Sequence, residues 1–585
     1  MTTKKLAGMA CDVLVVGSGA SGLATAVTAA FHGLDVIVAE KEDVFGGTSA
    51  WSGGWLWIPR NPLAVDAGIT EPPEGPRQYL NSELGNRAND PRLDVFLEYG
   101  PQMVSFFAEN SAVEWIDGNA IPDFHATPGH ANGGRSVSVA PYDGRALGPW
   151  IKKLRAPLDV ASLAGLGIAG GADMRHFFNA TSSPKSALYV TKRLAKHGRD
   201  LVLHRRAMQL ANGNALVARL MRSALDQGVR LLDSAPATSL ISEENRVTGA
   251  TLRIEGRDVT VSARKGVVLA AGGFPHDQER QAEHFDHAPG GKGHYSAAPR
   301  SNTGDGLRLA ETVGAVLDFD LEQPGAWAPV SLVPNNKSGA KHFPHLIERA
   351  KPGIIAVDPT GARFVNEADS YHDFMTALLE HTPQGQPAFC WLICDCRAQR
   401  RYGLGWSKPF PFPIGPYLRS GYLTAGKTLK DLAKACDIPV QTLQETVERF
   451  NASARSGVDD EFGRGGSMYN KVQGDPDQSP NPSLGQLSQA PFYAVKIVPG
   501  SLGTFAGIKT SSIGQALGPD DAPIEGLFAV GNDMASIMGG NYPSGGITLG
   551  PGMTFGYVIG RYLAGQPITA MPDSVPQSSS ITKDV

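Results

Sequence analysis

Short apolar runs that stop at glycine alternate with stretches of helical spacing at the start of the chain. Asp12-Val-Leu-Val-Val16 is apolar after its first residue and ends at Gly17, the pattern of a strand buried on both faces. Residues 20–32 carry Ala, Leu, Ala, Val and Ala at helical spacing, and Gly33 supplies the stop. Asp35-Val-Ile-Val-Ala39 reads as a second strand, so strand, helix and strand predict a right-handed parallel unit. Residues 55–75, rich in Trp, Pro and Gly, read as irregular. A helix is expected within 212–232, beginning near Asn212, with a strand over 229–233. Residues 237–263 form a small meander with a turn at Glu243–Asn245, and Lys265–Gly273 is another buried strand entering a glycine turn.

From about residue 280 to 450 the pattern changes to scattered aromatics, prolines and histidines, with helices near 303–315 and 427–455. Strand-and-glycine patterning returns over 493–565, with Leu527-Phe-Ala-Val530 as a buried strand. The expected fold is α/β. A Rossmann-like dinucleotide-binding domain spans 1–279 and 481–571, with an inserted α+β capping domain at 280–480 and a polar, disordered tail at 572–585. There are no internal repeats.

The 585 residues suit two to four domains, and 42% hydrophobic content excludes general disorder. A net charge of −4 argues against an electrostatic nucleic-acid binder, so no nucleic-acid partner is expected. The five cysteines are few and odd in number, which argues against a disulfide framework and for a reduced compartment. Cys394-Asp-Cys396 is too tight for a redox or zinc motif; these thiols read as buried apolar groups, and no metal site is expected. No apolar run is long enough to span a membrane, and the amino terminus enters a strand too soon for a signal peptide. The expected location is cytoplasmic. Association with a membrane surface through the cap stays open, but no clear amphipathic basic helix supports it.

Gly17-Ser-Gly19-Ala20-Ser21-Gly22 follows a strand and opens a helix. The first glycine permits the tight turn, the second lets backbone approach a pyrophosphate, and the third lets helix pack on sheet. The helix amino terminus offers free N–H groups to phosphate. Glu40 ends the next strand, where an acid accepts ribose hydroxyls, and Lys41 follows it. Gly46-Gly47-Thr48-Ser49-Ala-Trp-Ser52-Gly53-Gly54 suits a long cofactor lying extended, with its flavin end there. Ala270-Ala271-Gly272-Gly273 gives a second backbone approach near the pyrophosphate. The expected cofactor is FAD, and no histidine in the 46–54 loop offers a covalent attachment point.

These residues, with Thr303-Gly-Asp-Gly306, Gly361-Ala-Arg-Phe-Val-Asn-Glu367 and the long run GNDMASIMGGNYPSGGITLGPGMTFGY from Gly531, resemble the fumarate reductase/3-ketosteroid dehydrogenase flavoprotein superfamily over essentially the whole chain. The resemblance implies FAD in a Rossmann-like domain and an active site at the junction with the cap. It adds Gly531, Asn532, Asp533, Gly546, Thr548 and Leu549 to the cofactor contacts. Fumarate-reducing members place arginines where this chain has Tyr371 and Tyr542, and a histidine aligned by eye with Gly503. Without those cations, a dianionic substrate would be desolvated at a loss.

Tyr371 and Tyr542 match the ketosteroid dehydrogenase branch. That branch implies a substrate carbonyl bound by Tyr542 and the Gly546 N–H, with Tyr371 as base and flavin N5 as hydride acceptor. The base role requires the Tyr371 pKa to be lowered from its ordinary ~10. The branch carries a further tyrosine where this chain has Ile121-Pro-Asp-Phe124-His125. Either His125 or water assists Tyr371, or the regiochemistry differs. Ser544 resembles the Δ4-(5α) arrangement.

The expected activity is desaturation next to the carbonyl of a cyclic ketone, a 3-ketosteroid first, at the 1,2 or 4,5 position. Alternatives are a smaller cyclic ketone, reduction of an activated alkene, and a flavin-fold binding protein without chemistry. The electron acceptor is unassigned. Steroid-like substrates partition into lipid, which is the reason a membrane surface stays open as a partner. Arg135 either holds cofactor or bridges loops. His294 and Tyr295 are candidates for the cavity entrance. Trp51, Trp55 and Trp57 either wall a steroid or belong to the core.

Overall fold

The computed structural model describes residues 8–180, 183–335 and 339–568. The expected tail at 572–585 lies outside them.

The first strand is Met9–Val16, and its last six residues are uniformly buried except Asp12. It pairs in parallel with Val36–Ala39 on one side and Arg257–Leu269 on the other. Arg230–Leu232 extends the sheet beyond Val36–Ala39, and Pro523–Ala529 runs parallel to the end of Arg257–Leu269. The chain therefore leaves Met9–Val16 at a switch point, the place where open α/β sheets bind ligands. The turn leads into the helix Ala20–Phe31, whose small apolar face is wholly buried. The meander forms as antiparallel strands Ala237–Glu243, Arg246–Ile254 and Arg257–Leu269, with Glu244 and Asn245 at positive φ in the expected turn.

The carboxy-terminal helix Leu549–Leu563 packs on Ala20–Phe31. A Cβ at Gly556 would lie 2.6 Å from the Ser21 carbonyl oxygen, so only a glycine lets the two backbones come this close. The approach brings both helix amino termini to the border of one cavity, where their unpaired N–H groups favour anions.

A second, antiparallel sheet runs in the order Lys341–Pro344, Gly325–Val333, Phe492–Thr504, Cys390–Asp395, Ile354–Val357. Its middle strand, Phe492–Thr504, lies beyond the expected end of the cap at 480. An apolar run reports burial but not which sheet buries it. Within the expected cap, Thr303-Gly-Asp-Gly306 sits on the dinucleotide side. There the Gly304 N–H donates to the Gly273 carbonyl at 3.0 Å, and Lys41 Nζ contacts Asp305 at 2.5 Å. The helix over 427–455 is two, Leu429–Ala435 and Val440–Ser456.

Candidate active site

One cavity of about 1310 Å3 runs between the two sheets. A single small-molecule site usually takes ~300–1,000 Å3, so this volume has room for two ligands in line.

At one end the dinucleotide fingerprint forms the wall. Gly17 has φ +110°, and a Cβ there would sit 2.1 Å from the Ala270 carbonyl oxygen, so the turn admits no side chain. Gly17, Gly19, Ser21, Glu40, Lys41, Gly47, Thr48, Ser49, Ser52, Gly53 and Gly54 line this half, with Ala271, Gly272, Gly531, Asn532, Thr548 and Leu549. Glu40 is held in place by Ser18, whose Oγ donates to its carboxylate at 2.5 Å and whose N–H donates at 3.2 Å.

Three predicted contacts stand behind the lining. Gly22 packs the helix against the turn. The Ala20 N–H donates to Ser49 Oγ at 3.0 Å, tying helix to loop. Asp533 is buried and accepts from the Ala271 and Gly273 N–H groups at 2.6 and 2.8 Å. Burial raises its carboxyl to about 6, against those two hydrogen bonds. Asn302 was not foreseen. It lines the cavity and donates to Thr48 Oγ1 at 3.0 Å and the Gly272 carbonyl at 3.2 Å.

At the inner end the lining turns aromatic. Tyr371 opens the helix Tyr371–His381, capped by Ser370, whose Oγ accepts from the Asp373 N–H at 3.1 Å. Tyr542 sits in the loop before Leu549–Leu563 and is buried. The two rings stand edge to face, 4.9 Å apart. Phe124 stacks on Tyr542 at 5.9 Å and meets Tyr371 at 6.0 Å. Tyr469, from the short helix Met468–Gln473, packs on Phe124 at 4.5 Å and also lines the cavity.

Gly546 has φ +102°, and a Cβ would lie 2.6 Å from the Trp57 nitrogen. The Gly546 carbonyl accepts from that N–H at 3.2 Å, while its own N–H has no partner among the described residues. Burial pushes the Tyr371 phenol well above its ordinary value, and the neighbouring Tyr542 phenol adds to the shift. Burial raises Tyr542 as well. The lowered pKa expected for Tyr371 is therefore replaced by a raised one: burial among aromatic rings outweighs the lowering pull of Arg349.

His125 does not reach the phenols. Its Nε2 contacts Asp373 at 2.8 Å and its Nδ1 bonds Glu83, which fastens the first turn of the Tyr371 helix to the dinucleotide domain. Burial opposes its charge, yet Asp373 and Glu83 outweigh burial and raise it to about 10. His372 Nδ1 accepts from the Trp327 N–H at 3.1 Å, and burial lowers it to about 4. Both rings are held by partners within the fold.

Arg135 bridges loops: it is buried, donates to Asp123 at 2.6 Å and pairs with Glu71, away from the cavity. Ser544 is buried beside Asp123, off the lining. His294 contacts Ser501 at 2.9 Å, and neither it nor Tyr295 lines the cavity. Trp51 and Trp55 do, whereas Trp57 is core, with its Nε1–H on Asp123 at 2.8 Å.

Glycine turns that exclude side chains, an acid fixed at a strand end and two helix amino termini on one cavity are the features of a dinucleotide-dependent oxidoreductase. The chain belongs to the FAD-binding domain family, whose model matches residues 12–549, and FAD is its cofactor. It is 39% identical to the 4-oxocyclohex-2-ene-1-carboxylate 5-dehydrogenase of Sinomonas cyclohexanicum, over 96% of this chain and 95% of that protein. It is 36% identical to the 3-oxosteroid 1-dehydrogenase of Mycolicibacterium smegmatis, over 96% and 98%. The 3-ketosteroid delta1-dehydrogenase of Sterolibacterium denitrificans, solved with 1,4-androstadiene-3,17-dione, superposes with a TM-score of 0.87 at 34% identity, covering 95% of this chain and 99% of that one.

Proposed function

We propose that this protein dehydrogenates a six-membered cyclic ketone, forming a C=C bond next to the carbonyl. The reading is carried by the pair of phenols, Tyr371 and Tyr542, set edge to face in the aromatic end of a cavity whose other end is a dinucleotide cradle. The ring ketone is the unit shared by the substrates for which the relatives are named. The fumarate-reducing arginines are replaced at Tyr371 and Tyr542, and the aromatic lining of Tyr371, Tyr542, Phe124 and Tyr469 favours a neutral carbonyl over a dicarboxylate. Met174, Phe178, Leu346 and Tyr402 carry the cavity onward, which favours a polycyclic ketone of the 3-ketosteroid kind.

The cofactor contacts proposed are the cavity-lining residues of the two glycine loops, Glu40 and the Gly531 and Thr548 segments. When bound, the flavin supplies the acceptor for the hydride leaving the β-carbon. Tyr542 O–H and Gly546 N–H donate to the carbonyl oxygen and stabilise the enolate as charge builds. Tyr371 receives the α-proton at its phenolic oxygen. Phe124 and Tyr469 exclude water from the face where that proton moves. The position of Ser544 off the lining favours the 1,2 outcome over the 4,5 outcome.

The test is anaerobic titration of the yellow protein with a 4-ene-3-ketosteroid, a 5α-3-ketosteroid and a 4-oxocyclohexanecarboxylate. The 4-ene-3-ketosteroid, which has no 4,5 bond left to desaturate, should bleach the flavin and yield the 1,4-diene. The reading is wrong if none of the three bleaches a flavin that dithionite reduces.

A further inference from the structure

Lys351 is a buried ammonium without an acid of its own. It follows the short turn Glu348–Ala350, precedes the strand Ile354–Val357 and borders the cavity, yet it is only 9% exposed. A lysine is almost never buried this far unless it is paired. Lys351 forms no ion pair among the described residues. The two acids that pull on it, Asp475 and Glu348, have partners already. Asp475 Oδ2 accepts from Arg401 Nε at 2.7 Å and from the Tyr402 O–H at 2.5 Å, and Glu348 pairs with His345 at 2.5 Å. Burial lowers Lys351 to about 8 against the pull of those acids, and Arg401 adds to the fall.

Two of its three N–H donors go to the carbonyls of Gln473 and Gly474, at 2.6 and 2.7 Å, where the helix Met468–Gln473 ends. The third has no partner among the described residues, and Nζ lies 5.8 Å from the centre of the Phe178 ring on the cavity lining. Capping two carbonyls needs only a neutral donor, and a charge without a counter-ion is held out of water at a loss. The charge is therefore surplus to the fold. Of the other cations that border the cavity here, Arg401 is answered by Asp475 and Asp477, and Arg175 is exposed to water. Tyr469 and Gln473 both line the cavity and sit four residues apart on one helix, ~6 Å at the helical rise. The ammonium thus lies about one helical turn beyond the aromatic end.

We propose that Lys351 anchors a carboxylate carried by the substrate at the end away from its ring ketone. The proposal rests on the ring-ketone reading above and adds the second polar group of the molecule. The ketone oxygen goes to Tyr542 and Gly546 among the aromatic rings, and the carboxylate takes the third N–H of Lys351 and its charge. A charge-assisted hydrogen bond is about twice as strong as a neutral one, so the two polar ends fix which way round an apolar ring body lies. Such an anchor holds substrate and transition state alike, so it lowers KM and leaves kcat. The carboxylate comes either on a single ring or on the side chain of a polycyclic ketone.

The experiment measures KM and kcat of the holoenzyme with two acids, each beside its neutral carboxamide. The acids are 4-oxocyclohexanecarboxylate and a 4-ene-3-ketosteroid with a carboxylate side chain. At least one acid should show a KM at least about tenfold below that of its amide, at similar kcat. Which acid does so tells whether the carboxylate belongs on a single ring or on a steroid side chain. Lys351→Met should bring that acid and its amide to one KM, with flavin content and melting temperature showing that the variant folds. If it does not fold, the wild-type ratio of acid to amide decides alone. Equal KM for acid and amide in both pairs, or a folded Lys351→Met that keeps the preference, overturns the proposal while the ring-ketone reading stands. If none of the four compounds bleaches the flavin, that reading falls and the anchor falls with it.

Discussion

Tyr371 is a phenol that burial makes harder to ionise, placed where the proposed reaction needs a base. At neutral pH little of it is tyrosinate, and that fraction grows as pH rises toward its raised pKa. We therefore expect kcat/KM for the ketone to climb through neutral and alkaline pH, with no plateau below about pH 10, the ordinary phenol value. A plateau beginning near neutrality would assign the proton to another group. Tyr542→Phe removes one of the two donors proposed for the carbonyl oxygen and should lower turnover ~10²–10³-fold while FAD stays bound. At this scale the sequence was most informative where chemistry sits in a short motif. Gly17, Glu40, Tyr542 and Gly546 are fixed by neighbours along the chain. Phe124, Tyr469 and Asn302 meet the cavity only through space, and Tyr469 comes from a six-residue helix that carries no motif.

Between elements, the cap is pinned by charges that have left water. Glu367 is buried and accepts from Arg363 Nε at 2.9 Å, Arg464 Nη1 at 3.0 Å and the Ala356 N–H at 3.1 Å. Burial opposes its charge, but Arg363 and Arg464 outweigh burial and hold it at about 2. Its contribution to stability is present above the ordinary carboxyl value of 4.5 and is lost as pH falls from there through about 2. Glu367→Gln would leave buried guanidinium groups short of a counter-charge and should cost ~3–5 kcal/mol in urea unfolding. A loss near zero would show the cluster to be dispensable. The periodicity of single elements was legible, as for Ala20–Phe31 and the meander. Partnership was not: Phe492–Thr504 has the apolar run of any buried strand, and only its pairing with Gly325–Val333 and Cys390–Asp395 assigns it to the cap. The helix Pro184–His204 was also missed, because its apolar positions do not share one face: Val190 is buried while Leu188, Val202 and Leu203 are exposed.

For the whole molecule, the cofactor half and the proposed substrate half are one continuous space, so binding at one should stabilise both domains. Stripping FAD should lower the melting temperature, and adding it back should restore it. Free ligand at a thousandfold excess over Kd contributes about 4 kcal/mol to the folded state. The two-part architecture was readable because its markers lie at both ends of the chain, at Gly17–Gly22 and Gly531–Leu549, with a change of composition between. The central claim, that Tyr371 removes the α-proton while hydride departs, is tested most directly by single-turnover mixing of a 4-ene-3-ketosteroid with anaerobic wild type and Tyr371→Phe. The account predicts rapid flavin bleaching in wild type and a rate ~10²–10⁴-fold lower in the variant at equal FAD content. Equal bleaching rates in the two proteins would contradict it.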